Sequence, residues 1–234
     1  MRLDKFLVSA GICSRSEAKT YIKKGRVSVN GVLIKDNDYK LDENSDSVAF
    51  DGNRIGYQEF SYYMLYKPSG VVSATSDERD KTVMDLLCGV NTKDFFPVGR
   101  LDKDTEGLLL ITNDGELSHY LLSPKRHVDK TYLVHTKEDV TEEDLQKLCK
   151  GVDIGEKNLT LPAQAEALEP RKILLTICEG KFHQVKRMLQ AVGNEVVYLK
   201  RVTFGPLMLD EALEKGAYRE LTEEEITKLK GCIK

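Results

Sequence analysis

The chain has 234 residues, room for one large domain or for a small domain joined to a medium one. It is 41% hydrophobic and 31% charged, which supplies a packed core and excludes a disordered chain. With 35 basic and 38 acidic residues the net charge is −3, so the total does not by itself mark a nucleic-acid binder.

The first 35 residues nonetheless carry +6, and residues 36–59 reverse this to −5. Leu3, Phe6, Leu7 and Ala10 form an apolar stripe at helical spacing, stopped by Gly11. Ser14 with Glu17 three residues on is a capping box, predicting a second helix through Ala18, Tyr21 and Ile22 to Gly25. Arg15, Lys19, Lys23 and Lys24 fall on its exposed positions. Residues 26–34 then alternate at period two around Asn30-Gly31, a hairpin signal, and 48–55 add a late strand around Asp51-Gly52. The acidic stretch 36–46 reads as surface loop.

This order of elements, with Arg2-Leu3-Asp4-Lys5-Phe6-Leu7, Gly11, Ser14-Arg15, Ala18, Ile22, Gly25, Val27 and Val29-Asn30-Gly31, closely resembles the S4 RNA-binding domain. The resemblance implies binding of structured RNA by shape and phosphate, through Arg2, Arg15, Lys19, Lys23, Lys24, Arg26 and Asn30.

From Phe60 onward the pattern is strand-rich and mixed. An apolar strand at 62–66 ends in the Lys67-Pro68-Ser69-Gly70 loop, Val71-Val72-Ser73 resumes a strand, and 75–80 is a polar loop. Thr82 can cap a short helix at 83–87. Leu108 to Thr112 reads as a buried strand, followed by the turn Asn113-Asp114-Gly115 and a helix at 116–122. Arg100 and Asp102 stand immediately before that strand on a glycine-flanked loop, a good mount for one presented carboxylate. Residues 171–201 are basic again, at +5, and an acidic helix at 222–230 carries a capping box of Thr222 and Glu225.

Gly99-Arg100-Leu101-Asp102-x-x-Thr105-x-Gly107-Leu108-Leu109-Leu110-x-Thr112-Asn113-Asp114-Gly115 resembles the signature of the RsuA/RluB-type pseudouridine synthases. Lys130-Thr131-Tyr132-Leu133-Val134 resembles that family's Lys-Thr-Tyr strand, and residues 179–189 resemble its final motif, opening a helix that ends near Gly193. The resemblance implies an α+β chain: an S4 domain at 1–58, a short linker at 56–59, and a mixed, mainly antiparallel-sheet catalytic domain at 60–234. It implies that Asp102 is the essential carboxylate, attacking either C1′ of the ribose or the base, with a glycal route also open. Tyr132 would stack on the target base and Lys186 would keep Asp102 ionised. Arg100 would pair near Asp102, while Lys181, His183, Gln184 and Arg187 would contact RNA. The chemistry implied requires no cofactor and no metal.

Five scattered cysteines (13, 88, 149, 178 and 232) without a C-x-x-C pair argue against a disulfide framework and a zinc site, and Cys178 reads as a small buried strand hydrophobe. His119, His127 and His183 lack ligand spacing. No apolar run approaches a membrane span and the opening residues lack a signal-peptide core, so a cytoplasmic protein without membrane partner is expected, acting as a monomer. The final motif His183-Gln184-Val185-Lys186-Arg187-Met188 is similar to that of family members acting on small-subunit RNA. The expected substrate is therefore ribosomal RNA, 16S at the uridine-516 type of site, in the small subunit or its assembly particle. A 23S rRNA enzyme of the same family and a non-catalytic ribosome-assembly factor are the alternatives. An S4-bearing synthetase or methyltransferase is disfavoured because no nucleotide-binding glycine loop is present.

Overall fold

The chain divides into two units, Met1–Ser61 and Tyr62–Lys234, and each buries hydrophobic residues of its own. The computed structural model describes residues 1–42, 45–55 and 60–232; the expected linker at 56–59 lies outside them.

In the first unit, α1 (Leu3–Ser9) and α2 (Arg15–Lys23) pack on a four-stranded antiparallel sheet of β1 (Val27–Val29), β2 (Val32–Leu33), β3 (Val48–Phe50) and β4 (Asn53–Ile55). The helical stripe read from the sequence is the buried one: Leu3, Phe6 and Leu7 of α1 meet Ala18 and Ile22 of α2 over Val27, Val29 and Val48. Burying each large member of this set contributes about 1.5–3 kcal/mol. The capping box forms as expected, with the Ser14 amide donating to Glu17 Oε2 at 2.9 Å. Both hairpins turn on paired positive-φ residues, Asn30-Gly31 and Asp51-Gly52, the geometry that matches strand twist. The acidic stretch is not all loop surface. Leu41 is buried, its amide and carbonyl bonded to the carbonyl and amino group of Met1, because a small core must recruit apolar residues from its connections; Glu43 and Asn44 lie outside the described residues.

The second unit is built on one mixed sheet. In chain order its elements are β5 (Tyr62–Lys67), a 3₁₀ turn (Val83–Leu86), β6 (Phe96–Pro97), β7 (Glu106–Thr112), α3 (Gly115–Leu122), a second 3₁₀ turn (Pro124–Arg126) and β8 (Lys130–Thr136). There follow α4 (Glu142–Lys150), β9 (Gln164–Glu169), β10 (Lys172–Ile177), α5 (Gln184–Ala191), β11 (Val196–Phe204), β12 (Leu207–Met208), β13 (Tyr218–Glu220) and α6 (Glu223–Gly231). The strand order is β13-β5-β7-β11-β8-β10-β9, with β6 beside β7 and β12 beside β11. Every pairing is antiparallel except β7 with β11. All seven residues of β7 are buried, the mark of a central strand covered on both faces. It starts two residues before the apolar run read from the sequence, because Glu106 and Gly107 pair with β11.

Two further expectations change. Val71-Val72-Ser73 is not a strand: it makes one isolated bridge, Val72 to Thr82, and Ser73 turns its side chain to the loop before β7. Cys178 stands one residue beyond the end of β10 and is half-buried, where the strand gives way to a bend. Among the described residues, no helix is long and apolar enough to cross a membrane.

Gly107 marks the closest approach inside the sheet. Its φ is +108°, and a Cβ added there would overlap the carbonyl oxygen of Arg201 and stand 2.7 Å from its nitrogen. Both are backbone atoms of β11 and have no rotamer by which to withdraw. Gly107→Ala is therefore expected to destabilise the second unit by more than about 3 kcal/mol, read as a lowered urea midpoint. An unchanged midpoint would show that β7 and β11 separate freely at this point.

Candidate active site

The loop before β7 carries Asp102, and its backbone is fixed from two sides. Lys67, the last residue of β5, is fully buried, and its Nζ lies 3.0 Å from Asp102 O, 3.2 Å from Lys103 O, 2.8 Å from Thr105 O and 3.1 Å from Pro68 O. Three ammonium protons are thus distributed over four carbonyls. On the other side, Ser73 Oγ donates to Leu101 O at 2.9 Å and accepts from Leu101 N at 3.1 Å. The loop is held by its main chain, which leaves the Asp102 carboxylate to project into solvent-accessible space.

Opposite it stands the first turn of α5. Lys186 Nζ is 3.1 Å from Asp102 Oδ2 and 2.6 Å from Asp104 Oδ1. Burial by itself lowers the Lys186 pKa, but the hydrogen bonds to Asp104 and Asp102 outweigh it and leave the ammonium more firmly protonated than usual. Burial would raise Asp104 too; its bond to Lys186 reverses that and holds the carboxyl below its ordinary range. His183, the left-handed residue that caps α5, brings Nε2 to 3.7 Å from Asp102 Oδ1.

These groups open onto a cavity of about 840 Å³. Tyr132 of β8 lies in its wall, buried, with Arg201 of β11 as its cross-strand partner. Arg201 is 2% exposed: Nε donates to Leu108 O at 2.8 Å, the guanidinium lies over the Phe204 ring, and Nη2 has no hydrogen-bond partner. Lys130 lines the same cavity, its pKa lowered by burial and by the nearby Arg201. Neither cation makes an ion pair among the described residues. The arrangement therefore sets the Asp102 carboxylate against Lys186 at the mouth and places Lys130 and Arg201, two cations without an ion pair among the described residues, in the wall. Among the described residues no cluster of three His, Cys, Asp or Glu side chains is placed to hold a metal.

The sequence placed Asp102, Tyr132 and Lys186 at one site, and the structure brings them to one cavity. Arg100 differs. It lines the cavity, but its side chain is exposed and makes no ion pair with Asp102. Gln184 is 4% exposed, its Nε2 donating to Glu179 Oε1 and its Oε1 accepting from Lys181 N, so it braces the loop instead of facing RNA. Arg187 is likewise turned inward, to Glu156 Oε1 and the carbonyls of Phe182 and Ile154. Lys181 pairs with Glu179 at 3.4 Å. In the first unit Arg2 is held by Asp4 and Asp38, Arg26 by Asp51 and the rings of Tyr21 and Phe50, and Asn30 by Asp46 and the Ser47 amide. Arg15, Lys19, Lys23 and Lys24 remain exposed without an ion pair among the described residues, a solvent-facing row along α2. Sequence reasoning missed Lys67, Arg201 and the second claim on Lys186 by Asp104. A charged residue closing an otherwise buried strand was the one available signal for Lys67.

Residues 61–191 match the family model described as RNA pseudouridylate synthase, and residues 1–46 match the S4 domain. The chain is 52% identical over 231 residues to the Bacillus subtilis protein named uncharacterized RNA pseudouridine synthase YtzG, covering 97% of each. It is 45% identical over 230 residues to ribosomal small subunit pseudouridine synthase A of Vibrio cholerae, covering 98% of this chain and 99% of that one. A crystal structure described as a pseudouridylate synthase superposes with a TM-score of 0.70 at 40% identity, over 98% of this chain and 99% of that one.

Burial pushes the Lys67 ammonium down to about 8, against 10.5 for a free lysine. Across that window the folded chain has released a proton that the unfolded chain still holds, so the stability associated with this site rises with pH. Urea midpoints measured between pH 8 and 10.5 should therefore move in favour of the wild type relative to Lys67→Met. A pH-independent difference would remove this account of the Lys67 hub.

Proposed function

The chain belongs to the RNA pseudouridylate synthases and isomerises uridine in RNA to pseudouridine, and we propose that its substrate is 16S rRNA, at the uridine-516 type of site. The full-length similarity to the small-subunit enzyme of Vibrio cholerae supports the choice of 16S. The observation that carries the assignment of roles is the Asp102–Lys186 contact of 3.1 Å at the mouth of a cavity walled by Tyr132.

The reaction breaks the N1–C1′ bond, turns the base and rejoins it through C5; C5 gives up its proton and N1 takes one up, so that the product is an isomer of the substrate. A uridine within a helix must first be extruded, at a cost of a few kcal/mol. Asp102 acts as the essential carboxylate, at C1′ or on the base, and Lys186, 3.1 Å away, pairs with it and holds it aimed. Tyr132 offers a ring face to the extruded base. A base leaving C1′ takes the bonding electrons with it, and Arg201 with Lys130 gives that charge a cationic wall. Arg100, exposed on the rim, is placed to meet a backbone phosphate and not to orient Asp102. Arg15, Lys19, Lys23 and Lys24 supply the S4 unit's phosphate contacts.

Tritium release from 5-tritiated uridine in 16S and 23S transcripts or subunit particles tests the proposal, with pseudouridine mapping of the products. Asp102→Asn should retain RNA affinity and lose turnover by more than about 1,000-fold. Lys186→Met should lose about 100-fold, the effect of a reacting group displaced by about an ångström. Asp104→Asn should change turnover only slightly, because it releases Lys186 wholly to Asp102. Wild-type activity in Asp102→Asn would overturn the mechanism, and modification of 23S alone would overturn the substrate. Neutralising Arg15, Lys19, Lys23 and Lys24 together should flatten the salt dependence of binding by about three logarithmic units per decade of salt.

A further inference from the structure

Two large hydrophobic side chains are exposed among the described residues that line the cavity, Leu122 at 42% and Phe182 at 69%, and Phe182 is the aromatic one. Such exposure forgoes about 1.5–3 kcal/mol of burial for a large apolar side chain. The side chain is not loose. Its ring stacks on the His183 imidazole with centroids 3.8 Å apart and planes 21° from parallel, and His183 in turn reaches Asp102 at 3.7 Å.

The backbone beneath the ring is fixed by the residues that turned out not to face solvent. Arg187 Nη1 donates to Phe182 O at 3.1 Å, and Arg187 is itself held by Glu156 and Ile154 O. Gln184 Oε1 accepts from Lys181 N, while Glu179 Oε1 receives both Gln184 Nε2 and the Leu161 amide. A hydrogen-bonded network thus presents one exposed aromatic face in a fixed place, its other face covered by His183.

From this we propose that Phe182 is a stacking platform for an unpaired RNA base adjoining the target uridine, so that the Phe182–His183 pair forms a second base site beside the catalytic one. The proposal rests on the RNA-modifying function. Its ligand is a nucleobase because the ring offers a flat apolar face with no hydrogen-bonding group of its own. The ligand is part of an RNA because Lys181, Arg100, Lys103 and Lys186 surround the same opening. It adjoins the target because only the width of one imidazole and a 3.7 Å gap separate the platform from Asp102. The site also answers a steric need: a uridine drawn out of its strand leaves a neighbour without a stacking partner, and Phe182 replaces that partner.

The test uses full-length protein carrying Asp102→Asn, so that no turnover intervenes, and a five-nucleotide RNA with a central uridine and 2-aminopurine on one or the other side. Stacking quenches the 2-aminopurine fluorescence. The parent should quench one of the two RNAs on binding, and adding Phe182→Ala should abolish the quench and weaken binding by about 10-fold or more, within the range that stacking one base supplies. Phe182→Tyr should restore both. Replacing the 2-aminopurine nucleotide by an abasic one should weaken binding to the parent and leave the Phe182→Ala protein unaffected. Equal quenching with and without the Phe182 ring, or abasic and alanine effects that add, would overturn the platform. Tritium release by otherwise wild-type protein, measured separately on ribosomal RNA, tests the function on which the proposal rests. Because Phe182 is exposed, thermal melts of the variants should coincide with the parent's.

Discussion

Gly107 allows β7 and β11 to approach more closely than any residue with a side chain would permit, and the active site depends on that approach. Pairing Arg201 with Gly107 on one side and with Tyr132 on the other brings together three strands from distant parts of the chain. The loop before β7 is thereby set beside the strand that carries Tyr132. β10, which leads to the final motif, pairs with that same strand, so α5 and Lys186 enter opposite Asp102. Among the described residues the parallel pairing of β7 with β11 is the one departure from an antiparallel sheet in the second unit, and the side chains proposed to react gather around it.

Charge follows the same geometry. Lys67, Lys130 and Arg201 are removed from water to different degrees, and Arg201 depresses the proton affinity of both lysines. In a purely structural core such a grouping is costly, since each buried cation needs compensation. Lys67 receives it in part from four carbonyls, which tie down the very loop that presents Asp102, although burial still pushes its pKa down to about 8. Arg201 is compensated only in part, by Leu108 O and the Phe204 ring, and its Nη2 stays without a partner. The rigid part of the site is therefore satisfied internally, while the part facing the cavity keeps a positive potential for an incoming polyanion.

What could be read from the sequence was what local rules determine. The Ser14–Glu17 cap, the Asn30-Gly31 hairpin and the apolar stripe of α1 each depend on residues within seven positions, and each formed. The Asp102, Tyr132 and Lys186 assignments came from motif resemblance, since nothing in their spacing of 30 and 54 residues links them. Lys67 lies 35 residues from Asp102, and its four acceptors are main-chain carbonyls that leave no trace in the residue pattern. Side-chain direction was equally hidden. Gln184 and Arg187 read as RNA contacts from the company they keep, yet the left-handed start of α5 at His183 turns them toward Glu179 and Glu156.

That inward turn also resolves the apparent excess of basic residues. Of the eight cations behind the +6 of the first 35 residues, Arg2 and Arg26 are matched to Asp38 and Asp51, and four of the six that remain form a row along α2 and its C-terminal end, with Lys5 and Lys35 outside it. The +5 of residues 171–201 contracts in the same way, because Arg171, Lys172 and Arg187 pair with Asp139, Glu169 and Glu156. Of the cations that remain, Arg15, Lys19, Lys23 and Lys24 follow α2 and Arg100, Lys130 and Arg201 line the cavity, where phosphates would be met, while Lys5, Lys35 and Lys200 stand apart from both. The acidic residues elsewhere keep the chain near neutrality. A chain so balanced is not drawn strongly to polyanions as a whole, since long-range attraction follows net charge and is screened within about 8–10 Å at ordinary salt. Its contacts with RNA act only at close range. Selection of one uridine among many then falls to shape and stacking at the cavity, where the unpaired cations, Tyr132 and the Phe182 ring are found together.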